Sequence, residues 1–429
     1  MNQRKVALFT VGCKLNQYET EWMGESLEKA GFKRVSFSEQ ADLYIINSCT
    51  VTAQSDYSSR QAIYRAFRRS PGSKIAVVGC YSETEPDLLK RLPGVSMILG
   101  NEEKNRIGEI ILERLYDEKT AVREEKKRIA GRFKHTRALV KIQDGCNERC
   151  AYCIVPEARG KERSRDATEI VEEIKGLRDK GFKEVVLTGV HIGKYSRSGM
   201  NLVVLLKKIL AKTQVERVRL SSVEPKELDE ELIEFLTLEK RFCRHLHLPL
   251  QAGSDEILKK MRRNYTVEEY RDLIQKVFDR IEGVTLGADV MVGFPGESEK
   301  DFEKTCEFVF SSPLSYLHVF SYSDRKGTLA SKMEDKIMPQ MIHKRSEILH
   351  QIGKEKWEKH LETFAGEQMD ILVESNRDKN SGRLIGLSDN YVRILVNGDE
   401  GLKNKILPVK AVKREGKFLT GEIQSFEHV

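Results

Sequence analysis

The chain has 429 residues, more than one hydrophobic core usually serves, so two or three domains are expected. Hydrophobic residues make up 39% of the sequence and charged residues 32%, a balance typical of a globular protein rather than a disordered one. No apolar run reaches about 18 residues, and the first ten residues lack the apolar stretch of a signal peptide. A membrane span is therefore not expected, and the predicted location is the cytoplasm.

Charge and cysteine usage narrow the function classes further. The net charge of +7 permits a polyanionic partner such as a nucleic acid without requiring one. Eight cysteines in a reducing compartment argue against a disulfide framework. Metal binding or catalysis is then the better interpretation of any clustered subset of them.

The first region, residues 1–117, alternates short β-rich runs with helical stretches. The predicted strands are Val6–Thr10, Leu43–Asn47, Ile75–Gly79 and Val95–Leu99, and the predicted helices are 19–30, about 55–70 and 102–114. This alternation predicts a parallel sheet flanked by helices. Residues 118–134 are charged and poor in large apolar side chains, which indicates a solvated linker.

In the second region, residues 135–362, predicted strands and helices alternate over a longer stretch of the chain. Its predicted strands are Ala138–Ile142, Glu184–Thr188, Arg217–Leu220, His245–Leu248, Leu286–Val292 and Tyr316–Phe320, with helices between them and a final helix from Pro339. Six β/α units predict a partial (β/α)6 barrel rather than a complete eight-fold one. Residues 363–429 change to short β runs separated by Asn, Gly, Asp and Lys, which predicts a small antiparallel barrel of about five strands.

Three cysteines with tight spacing follow the first strand of the predicted partial barrel. Cys146, Cys150 and Cys153 bring three thiols onto one short loop. Iron–sulfur clusters are usually held by four cysteine thiolates, so three leave one iron open for another ligand. Structural zinc is the alternative, but it needs four protein ligands, and no fourth Cys or His lies nearby in sequence.

The same loop resembles the signature of the radical S-adenosylmethionine superfamily, with Tyr152 before the last cysteine. The resemblance implies that Cys146, Cys150 and Cys153 hold a catalytic 4Fe–4S cluster. It also implies that the open iron binds S-adenosylmethionine, which is cleaved to a 5′-deoxyadenosyl radical.

Three further cysteines each follow closely after a predicted strand of the first region. Cys13, Cys49 and Cys80 are far apart in sequence, and they could be three unrelated core thiols. The strands of a parallel sheet, however, end on one common edge, where open α/β folds bind ligands. The positions of Cys13, Cys49 and Cys80 alone support two interpretations about equally: three separate core thiols, or one shared metal site.

The flanking motifs resemble those of the methylthiotransferases. They include Thr-Val-Gly-Cys-Lys-Leu-Asn-Gln-Tyr-Glu (10–19), Asn-Ser-Cys-Thr-Val-Thr (47–52), Val-Gly-Cys-Tyr-Ser (78–82) and His-Leu-Pro-Leu-Gln-Ala-Gly-Ser (247–254). The resemblance implies that Cys13, Cys49 and Cys80 hold an auxiliary 4Fe–4S cluster, and that residues 363–429 are an RNA-binding TRAM barrel. It further implies an external electron donor and a sulfur source as partners.

Within the methylthiotransferases, the motifs Gly-Cys-Lys-Leu-Asn-Gln-Tyr-Glu (12–19) and Ile-Gln-Asp-Gly-Cys (142–146) look most like the branch that modifies N6-threonylcarbamoyladenosine in the anticodon loop of tRNA, at position 37. The resemblance then implies addition of a methylthio group to C2 of the base. The alternatives are isopentenyladenosine in tRNA and an aspartate of a ribosomal protein. A rival from another class is a non-enzymatic RNA-binding protein with structural zinc.

Several other residues have expected roles that follow from their positions in the predicted strands and loops. Gly189, Glu224 and Gln251 follow three strands of the predicted partial barrel, where β/α barrels keep their active sites, so they are candidates for contacting S-adenosylmethionine. Cys243 and Cys306 are interpreted as buried apolar residues. His245 and His247 alternate on a strand and are expected to be hydrogen-bonded rather than metal-bound.

Basic side chains suggest a phosphate-binding track. They are Lys403, Lys405, Lys410, Lys413, Arg414 and Lys417 on the C-terminal barrel, with Arg60, Arg65, Arg68 and Arg69 on an early helix. Any one of them is an ordinary surface charge, but together they favour RNA as the partner.

Overall fold

The computed structural model describes residues 3–118 and 136–424, which form two compact units. Unit 1 contains the described residues up to 118 together with Lys141–Arg165 and Ser323–Ser331, and unit 2 contains the remaining described residues. The predicted linker, 118–134, lies outside the described residues except for Glu118. The predicted boundaries 1–117, 135–362 and 363–429 stay predictions. None of the described helices has the length and apolar character needed to cross a bilayer.

Unit 1 is built on a parallel sheet with helices packed on both faces. Its first elements are the strands β1 (Lys5–Thr10), β2 (Lys33–Val35), β3 (Leu43–Ser48), β4 (Lys74–Gly79) and β5 (Val95–Leu99), and the helices α1 (Lys14–Lys29), α2 (Ala53–Arg69), α3 (Cys80–Thr84), α4 (Pro86–Lys90) and α5 (Ile107–Tyr116). The strand order is β2-β1-β3-β4-β5 and every pairing is parallel, which confirms the predicted sheet. All six residues of the central strand β3 are buried.

Helix α1 begins earlier than its predicted start at Glu19. It starts at Lys14, with Cys13 as the N-cap residue. Leu15 and Tyr18 are buried, so the apolar face of the helix extends a full turn toward its N-terminus. The short edge strand β2 was not predicted, because three residues carry too little alternation to be recognised.

The chain then passes into the cysteine loop of residues 146–153. The elements around it are β6 (Ala138–Lys141), β7 (Gln143–Asp144), α6 (Val155–Arg159) and β8 (Arg163–Ser164). Strands β7 and β8 form an antiparallel pair, so the loop leaves and re-enters the fold at neighbouring points. The loop is thereby held at both ends within unit 1.

Unit 2 contains the partial barrel. Its strands are β9 (Glu184–Thr188), β10 (Arg217–Leu220), β11 (His245–His247), β12 (Thr285–Val292) and β13 (Tyr316–Ser321), and its helices are α7 (Ala167–Asp179), α8 (Leu202–Lys212), α9 (Glu230–Leu238), α10 (Asp255–Lys260), α11 (Val267–Arg280), α12 (Glu299–Ser311) and α13 (Pro339–Glu362). The sheets β10-β9-β6 and β11-β12-β13 are joined by a parallel bridge between Val218 and Phe242. With β6 as the sixth strand, these strands and their helices confirm the predicted partial barrel.

A closed five-stranded barrel follows in unit 2. Its strands are β14 (Gln368–Arg377), β15 (Leu384–Ser388), β16 (Arg393–Val396), β17 (Ile406–Glu415) and β18 (Phe418–Ile423), in the order β14-β15-β16-β18-β17. The predicted small barrel of about five strands is present: four of its strand pairings are antiparallel, and β16 pairs with β18 in parallel. Inward side chains of alternate strand positions, such as Ile371, Val373 and Leu419, form its core.

Arginines of the partial barrel hold the turn between β15 and β16. Arg217 donates to the carbonyl of Leu387 at 3.1 Å, and Arg219 donates to the carbonyl of Asp389 at 2.9 Å. In the same turn, the ring of Tyr391 stacks on His245 with centroids 4.1 Å apart. Both barrels of unit 2 are therefore joined by hydrogen bonds to backbone as well as by packing.

Candidate metal centres

The cysteines of the first triplet lie at the carboxyl ends of three adjacent strands. Cys13 follows β1 at the N-cap of α1, Cys49 directly follows β3, and Cys80 follows β4 as the first residue of α3. Because β1, β3 and β4 are neighbours in one parallel sheet, the three thiols share one edge of it. The N-terminus of a long helix at Cys13 also favours negative charge there.

Glycines without side chains allow the strand-end loops to approach each other. A Cβ on Gly12, whose φ is +103°, would lie 2.8 Å from the Cys49 sulfur. A Cβ on Gly79, whose φ is +104°, would lie 2.5 Å from the carbonyl oxygen of Ser48. The residue before Cys13 and the residue before Cys80 must therefore be glycine for the three loops to meet.

The local electrostatics act on the thiols in opposite directions. Burial, with smaller contributions from the neighbouring Cys80 and Cys13 thiols, raises the pKa of Cys49 to about 11. Burial also raises the pKa of Cys80, while Arg159 and Lys104 lower it. Thiols bind iron as thiolates, so cations beside Cys80 favour the form that a metal needs.

The second triplet lies in the loop held by β7 and β8. The backbone amide of Cys146 donates to the carbonyl of Gly160 at 3.1 Å, and the amide of Cys153 donates to the carbonyl of Cys150 at 3.1 Å. Gly145, with φ +72°, precedes Cys146, and a Cβ there would lie 2.1 Å from the carbonyl oxygen of Lys161. Each of these three cysteines is partly exposed.

The spacing of the sulfurs does not suit zinc. Among residues 3–118 and 136–424, the one group of at least three His, Cys, Asp or Glu ligand atoms lying within 4.8 Å of one another is His247, Asp289 and His318. Neither cysteine triplet is that tight. Zinc–sulfur bonds of about 2.3 Å at tetrahedral angles bring sulfurs to about 3.8 Å from each other. Three sulfurs that do not all lie within 4.8 Å of one another leave room for a larger inorganic core such as an iron–sulfur cluster.

A buried network of charges lies in unit 1 beside both triplets. Arg159, the last residue of α6, donates to Glu19 Oε1 and to Asp144 Oδ1, each at 3.0 Å. Glu19 also accepts from Lys104 at 2.7 Å and from Lys141 at 3.0 Å. Burial alone would raise the pKa of Glu19, but these three cations outweigh it and hold the pKa well below its ordinary value. Glu19 and Asp144 lie within motifs that were recognised in the sequence, but none of these five residues was assigned a role from the sequence.

The segment Ser323–Ser331 contacts the flanks of both triplets. Arg325 forms an ion pair with Asp56 at 2.5 Å and donates to the carbonyl of Thr50, next to Cys49, at 3.3 Å. The amide of Ala330 donates to the carbonyl of Ala151, next to Cys150, at 2.7 Å. One short segment of unit 1 thus connects the two cysteine loops, which sequence spacing could not reveal.

The three candidates for contacting S-adenosylmethionine all lie just after strands of unit 2. Gly189 follows β9 directly, Glu224 lies four residues after β10 and forms an ion pair with Arg263, and Gln251 lies after β11. Gln251 has a φ of +67°, unusual for a residue with a side chain, and its amide donates to the carbonyl of Asp289 at 2.8 Å. Their contact with the cofactor stays a prediction.

The strand histidines are hydrogen-bonded, as predicted. His245 Nε2 lies 2.8 Å from the Tyr316 hydroxyl, and His247 Nε2 lies 2.9 Å from Asp289 Oδ1. His318, which was not singled out from the sequence, approaches the same Asp289 oxygen at 3.4 Å. Burial opposes the charge on Asp289, but hydrogen bonds to the two histidines hold its pKa far below the ordinary value.

Two other predictions have mixed outcomes. Cys243 is buried as expected, whereas Cys306 is only partly buried. On α2, Arg60 donates to the Tyr81 hydroxyl at 2.7 Å and Arg69 donates to the carbonyl of Phe37, so these two arginines are engaged within unit 1. Lys405, Lys410, Lys413 and Lys417 of the C-terminal barrel are exposed.

Comparison with known families agrees with this geometry. Residues 140–309 match the model of the radical SAM superfamily, and residues 5–100 match that of uncharacterized protein family UPF0004. Among solved structures, the radical S-adenosylmethionine methyltransferase TsrM from Kitasatospora setae has a TM-score of 0.57 at 17% identity, covering 74% of this chain and 75% of that chain. This likeness concerns the fold alone.

Curated relatives match nearly the whole chain. The threonylcarbamoyladenosine tRNA methylthiotransferase MtaB of Bacillus subtilis is 36% identical, covering 96% of each chain. The protein of the same name from Aquifex aeolicus is 39% identical, covering 92% of this chain and 97% of its own. The tRNA-2-methylthio-N(6)-dimethylallyladenosine synthase of Clostridium botulinum strain Okra is 33% identical, covering 96% of this chain and 95% of its own. The chain belongs to the family of radical S-adenosylmethionine methylthiotransferases.

Proposed function

We propose that this protein is a tRNA methylthiotransferase that adds a methylthio group to C2 of N6-threonylcarbamoyladenosine at position 37, next to the anticodon. S-adenosylmethionine serves both as methyl donor and as radical source. The observation that carries the proposal is the gathering of two separate cysteine triplets in one compact unit. A radical enzyme with a single cluster would have no use for the second set.

The two triplets have distinct roles in this proposal. Cys146, Cys150 and Cys153 hold the cluster that binds S-adenosylmethionine, and Cys13, Cys49 and Cys80 hold the auxiliary cluster. When bound, the clusters and S-adenosylmethionine supply the radical and sulfur-transfer chemistry. The protein itself presents three thiolates at each cluster site and holds the two cysteine loops beside one another. Hydrogen bonds from the Ser323–Ser331 segment to both loops support that role.

Residues of the partial barrel orient the cofactor. Gly189, Glu224 and Gln251 lie after successive strands of unit 2, at the edge where β/α barrels bind their ligands. Glu224 is already held in place by Arg263, and the backbone at Gln251 is fixed by two hydrogen bonds to β12. Groups held rigidly before the ligand arrives lose little entropy when they bind it.

The nucleic-acid partner is supported by charge and by the relatives. Exposed lysines of the C-terminal barrel offer a surface for the phosphates of tRNA. A base in the single-stranded anticodon loop can be turned out toward a catalytic pocket at low cost. The proposal also includes an external electron donor and a source of sulfur.

The substrate branch rests on the relatives. Proteins named for threonylcarbamoyladenosine reach 36% and 39% identity, whereas the relative named for dimethylallyladenosine reaches 33%. The isopentenyl-type base is therefore the alternative substrate, and an aspartate of a ribosomal protein is a second alternative.

The test is a direct competition between modified bases. The reconstituted enzyme is given S-adenosylmethionine, sulfide, a reductant and two tRNA preparations, one bearing N6-threonylcarbamoyladenosine and one bearing isopentenyladenosine. Nucleoside mass spectrometry should detect the methylthio product on the threonylcarbamoyl base alone. Product only on the isopentenyl base would show that the protein belongs to the branch that modifies isopentenyladenosine. Product on neither, with S-adenosylmethionine still cleaved, would contradict a tRNA substrate.

A further inference from the structure

Arg159 lies where the chain brings the two cysteine loops together. Its side chain is almost wholly buried in unit 1 and makes ion pairs with Glu19 of α1 and Asp144 of β7. A buried guanidinium that binds two carboxylates at once is fixed in position and orientation. Arg159 therefore joins the helix that follows Cys13 to the strand that leads to Cys146.

On the auxiliary side, the connection continues through Asn16. Arg159 Nη2 donates to Asn16 Oδ1 at 2.5 Å. The amide of Asn16 donates in turn to the carbonyl of Val11 at 2.7 Å and to the carbonyl of Ser48 at 3.1 Å. Val11 lies two residues before Cys13, and Ser48 lies directly before Cys49. Two of the three strand-end loops are thus tied to Arg159 through one side chain.

On the other side, the connection runs through Asp144. Its Oδ1 atom accepts from Arg159 and also from the amide of Gly145, the residue before Cys146, at 2.8 Å. The carbonyl of Gly160, the neighbour of Arg159, accepts from the amide of Cys146 at 3.1 Å. A continuous chain of hydrogen bonds therefore runs from the Cys146 loop to the Cys13 and Cys49 loops.

The network also carries excess positive charge. Four cations, Arg159, Lys104, Lys141 and the half-exposed Arg163, face two carboxylates, Glu19 and Asp144, so positive charge is in excess. Arg159 and Lys104 both act electrostatically on the Cys80 thiol. The potential of an iron–sulfur cluster depends on its surrounding charge, because reduction adds an electron that a nearby cation stabilises.

We propose that Arg159 is a positioning residue that fixes the separation of the two cysteine triplets and raises the reduction potential of the cluster held by Cys13, Cys49 and Cys80. This inference rests on the proposed function. It assigns two separable effects to one side chain. The guanidinium geometry sets the alignment of the loops, and the positive charge sets the potential.

The potential is measured in a background that holds one cluster. The full-length chain with Cys146, Cys150 and Cys153 all changed to Ala is reconstituted, and its remaining cluster is titrated by electron paramagnetic resonance. In this background Arg159→Met should shift the potential to more negative values, whereas Arg159→Lys should leave it near the parent value. Arg114→Met is the matched control, because Arg114 is about half exposed and pairs with Glu103 at the surface of unit 1, outside the network. It should leave the potential unchanged.

The alignment is measured in the chain with all six cysteines. Arg159→Lys and Asn16→Ala both keep the charge but break the hydrogen-bonded path, so both should cleave several-fold more S-adenosylmethionine for each methylthio product. An unshifted potential in Arg159→Met with its iron retained would overturn the effect of charge. Parental coupling in both Arg159→Lys and Asn16→Ala would overturn the effect of alignment.

The outcomes remain interpretable if one variant does not load iron. Should Arg159→Met lose its cluster, Lys104→Met removes a second cation beside Cys80, and it should shift the potential in the same direction. Failure of the proposed function would show separately, as absence of methylthio product from the parent enzyme, since the potential is measured without tRNA.

Discussion

Arg159 and Asn16 are 143 positions apart in the chain, yet a guanidinium nitrogen of one lies 2.5 Å from the amide oxygen of the other. Asn16 belongs to the first helix after the auxiliary cysteine Cys13, and Arg159 closes the helix after the second triplet. The contact places the loop of the radical signature in the same compact unit as the N-terminal sheet. The two cysteine triplets, which look separate along the sequence, therefore lie in one structural unit.

Gly145→Ala should disrupt the second triplet specifically. The new Cβ would lie 2.1 Å from the carbonyl oxygen of Lys161, and the φ of +72° is unfavourable for alanine. We expect the reconstituted variant to lose the iron held by Cys146, Cys150 and Cys153, about half of the total, and to stop cleaving S-adenosylmethionine.

Gly176→Ala is the matched control for that change. Gly176 lies inside α7, and a Cβ added there would meet no neighbouring atom within 4 Å, so alanine should stabilise the helix by about 0.5–1 kcal/mol. Full iron content in Gly145→Ala would show that the tight approach to Lys161 is not required for cluster binding.

Glu19→Gln should destabilise unit 1 strongly. The change leaves Arg159, Lys104 and Lys141 with one carboxylate fewer in a buried site, and breaking such a network costs about 3–5 kcal/mol. Urea unfolding of the apoprotein at pH 7 measures the loss. Glu118→Gln, which removes an exposed partner of Arg4, should have a far smaller effect because water screens that ion pair. Equal losses in the two variants would contradict the account.

The pH dependence of the Glu19 contribution has a definite sign. Its folded pKa is well below the ordinary value, so its stabilisation is present above about pH 4.5 and is lost as the pH falls. Stability of the parent should therefore decline below that pH more steeply than stability of Glu19→Gln. Parallel curves for the two proteins would be inconsistent with a buried, ionised Glu19.

His360 should make unit 2 sensitive to mild acid. Burial lowers its pKa to about 4, and its Nε2 atom lies 2.7 Å from the Thr285 hydroxyl. The unfolded chain takes up a proton near pH 6.5, so stability is lost progressively between about pH 6.5 and 4, by on the order of 1–3 kcal/mol. Thermal unfolding across this range should show a smaller decline for His360→Gln. An identical decline in both would contradict the assignment.

Exposed lysines of the C-terminal barrel should set the salt dependence of tRNA binding. Lys405, Lys410, Lys413 and Lys417 are exposed, and replacing one phosphate-contacting lysine lowers the slope of log K against log salt by about one. The fourfold Ala variant should therefore bind tRNA more weakly and with a shallower slope. Lys207→Ala with Lys276→Ala, on α8 and α11, is the control and should leave the slope unchanged. An unchanged slope in the fourfold variant would show that tRNA binds to a surface other than the C-terminal barrel.

Much of the fold could be predicted because the strands are short apolar runs between helices with clear periodicity. The strands Glu184–Thr188 and Arg217–Leu220 were predicted to the residue. The predictions were wrong where the local sequence pattern does not determine the structure. The start of α1 was placed at Glu19 because polar residues interrupt its first turn, although Leu15 is buried there. The parallel pairing of β16 with β18 depends on barrel closure, which adjacent turns do not encode.

The candidate site was only partly predictable. Strand ends of a parallel sheet share an edge, so the meeting of Cys13, Cys49 and Cys80 could be anticipated. A signal that could have helped is the Gly-Cys pair, which occurs at Cys13, Cys80 and Cys146, each time with a glycine of positive φ. The charges of the Arg159 network were missed, because in sequence they resemble ordinary surface residues. Only tertiary structure brings them together.

Counting iron in matched cysteine variants tests the central claim most directly. The parent protein and two triple Ala variants, one at Cys13, Cys49 and Cys80 and one at Cys146, Cys150 and Cys153, are reconstituted without oxygen. Two independent clusters predict about eight irons in the parent and about four in each variant. The first variant should still cleave S-adenosylmethionine without forming methylthio product. About four irons in the parent, unchanged when Cys13, Cys49 and Cys80 are replaced, would contradict the auxiliary cluster and leave those three residues as thiols that bind no cluster.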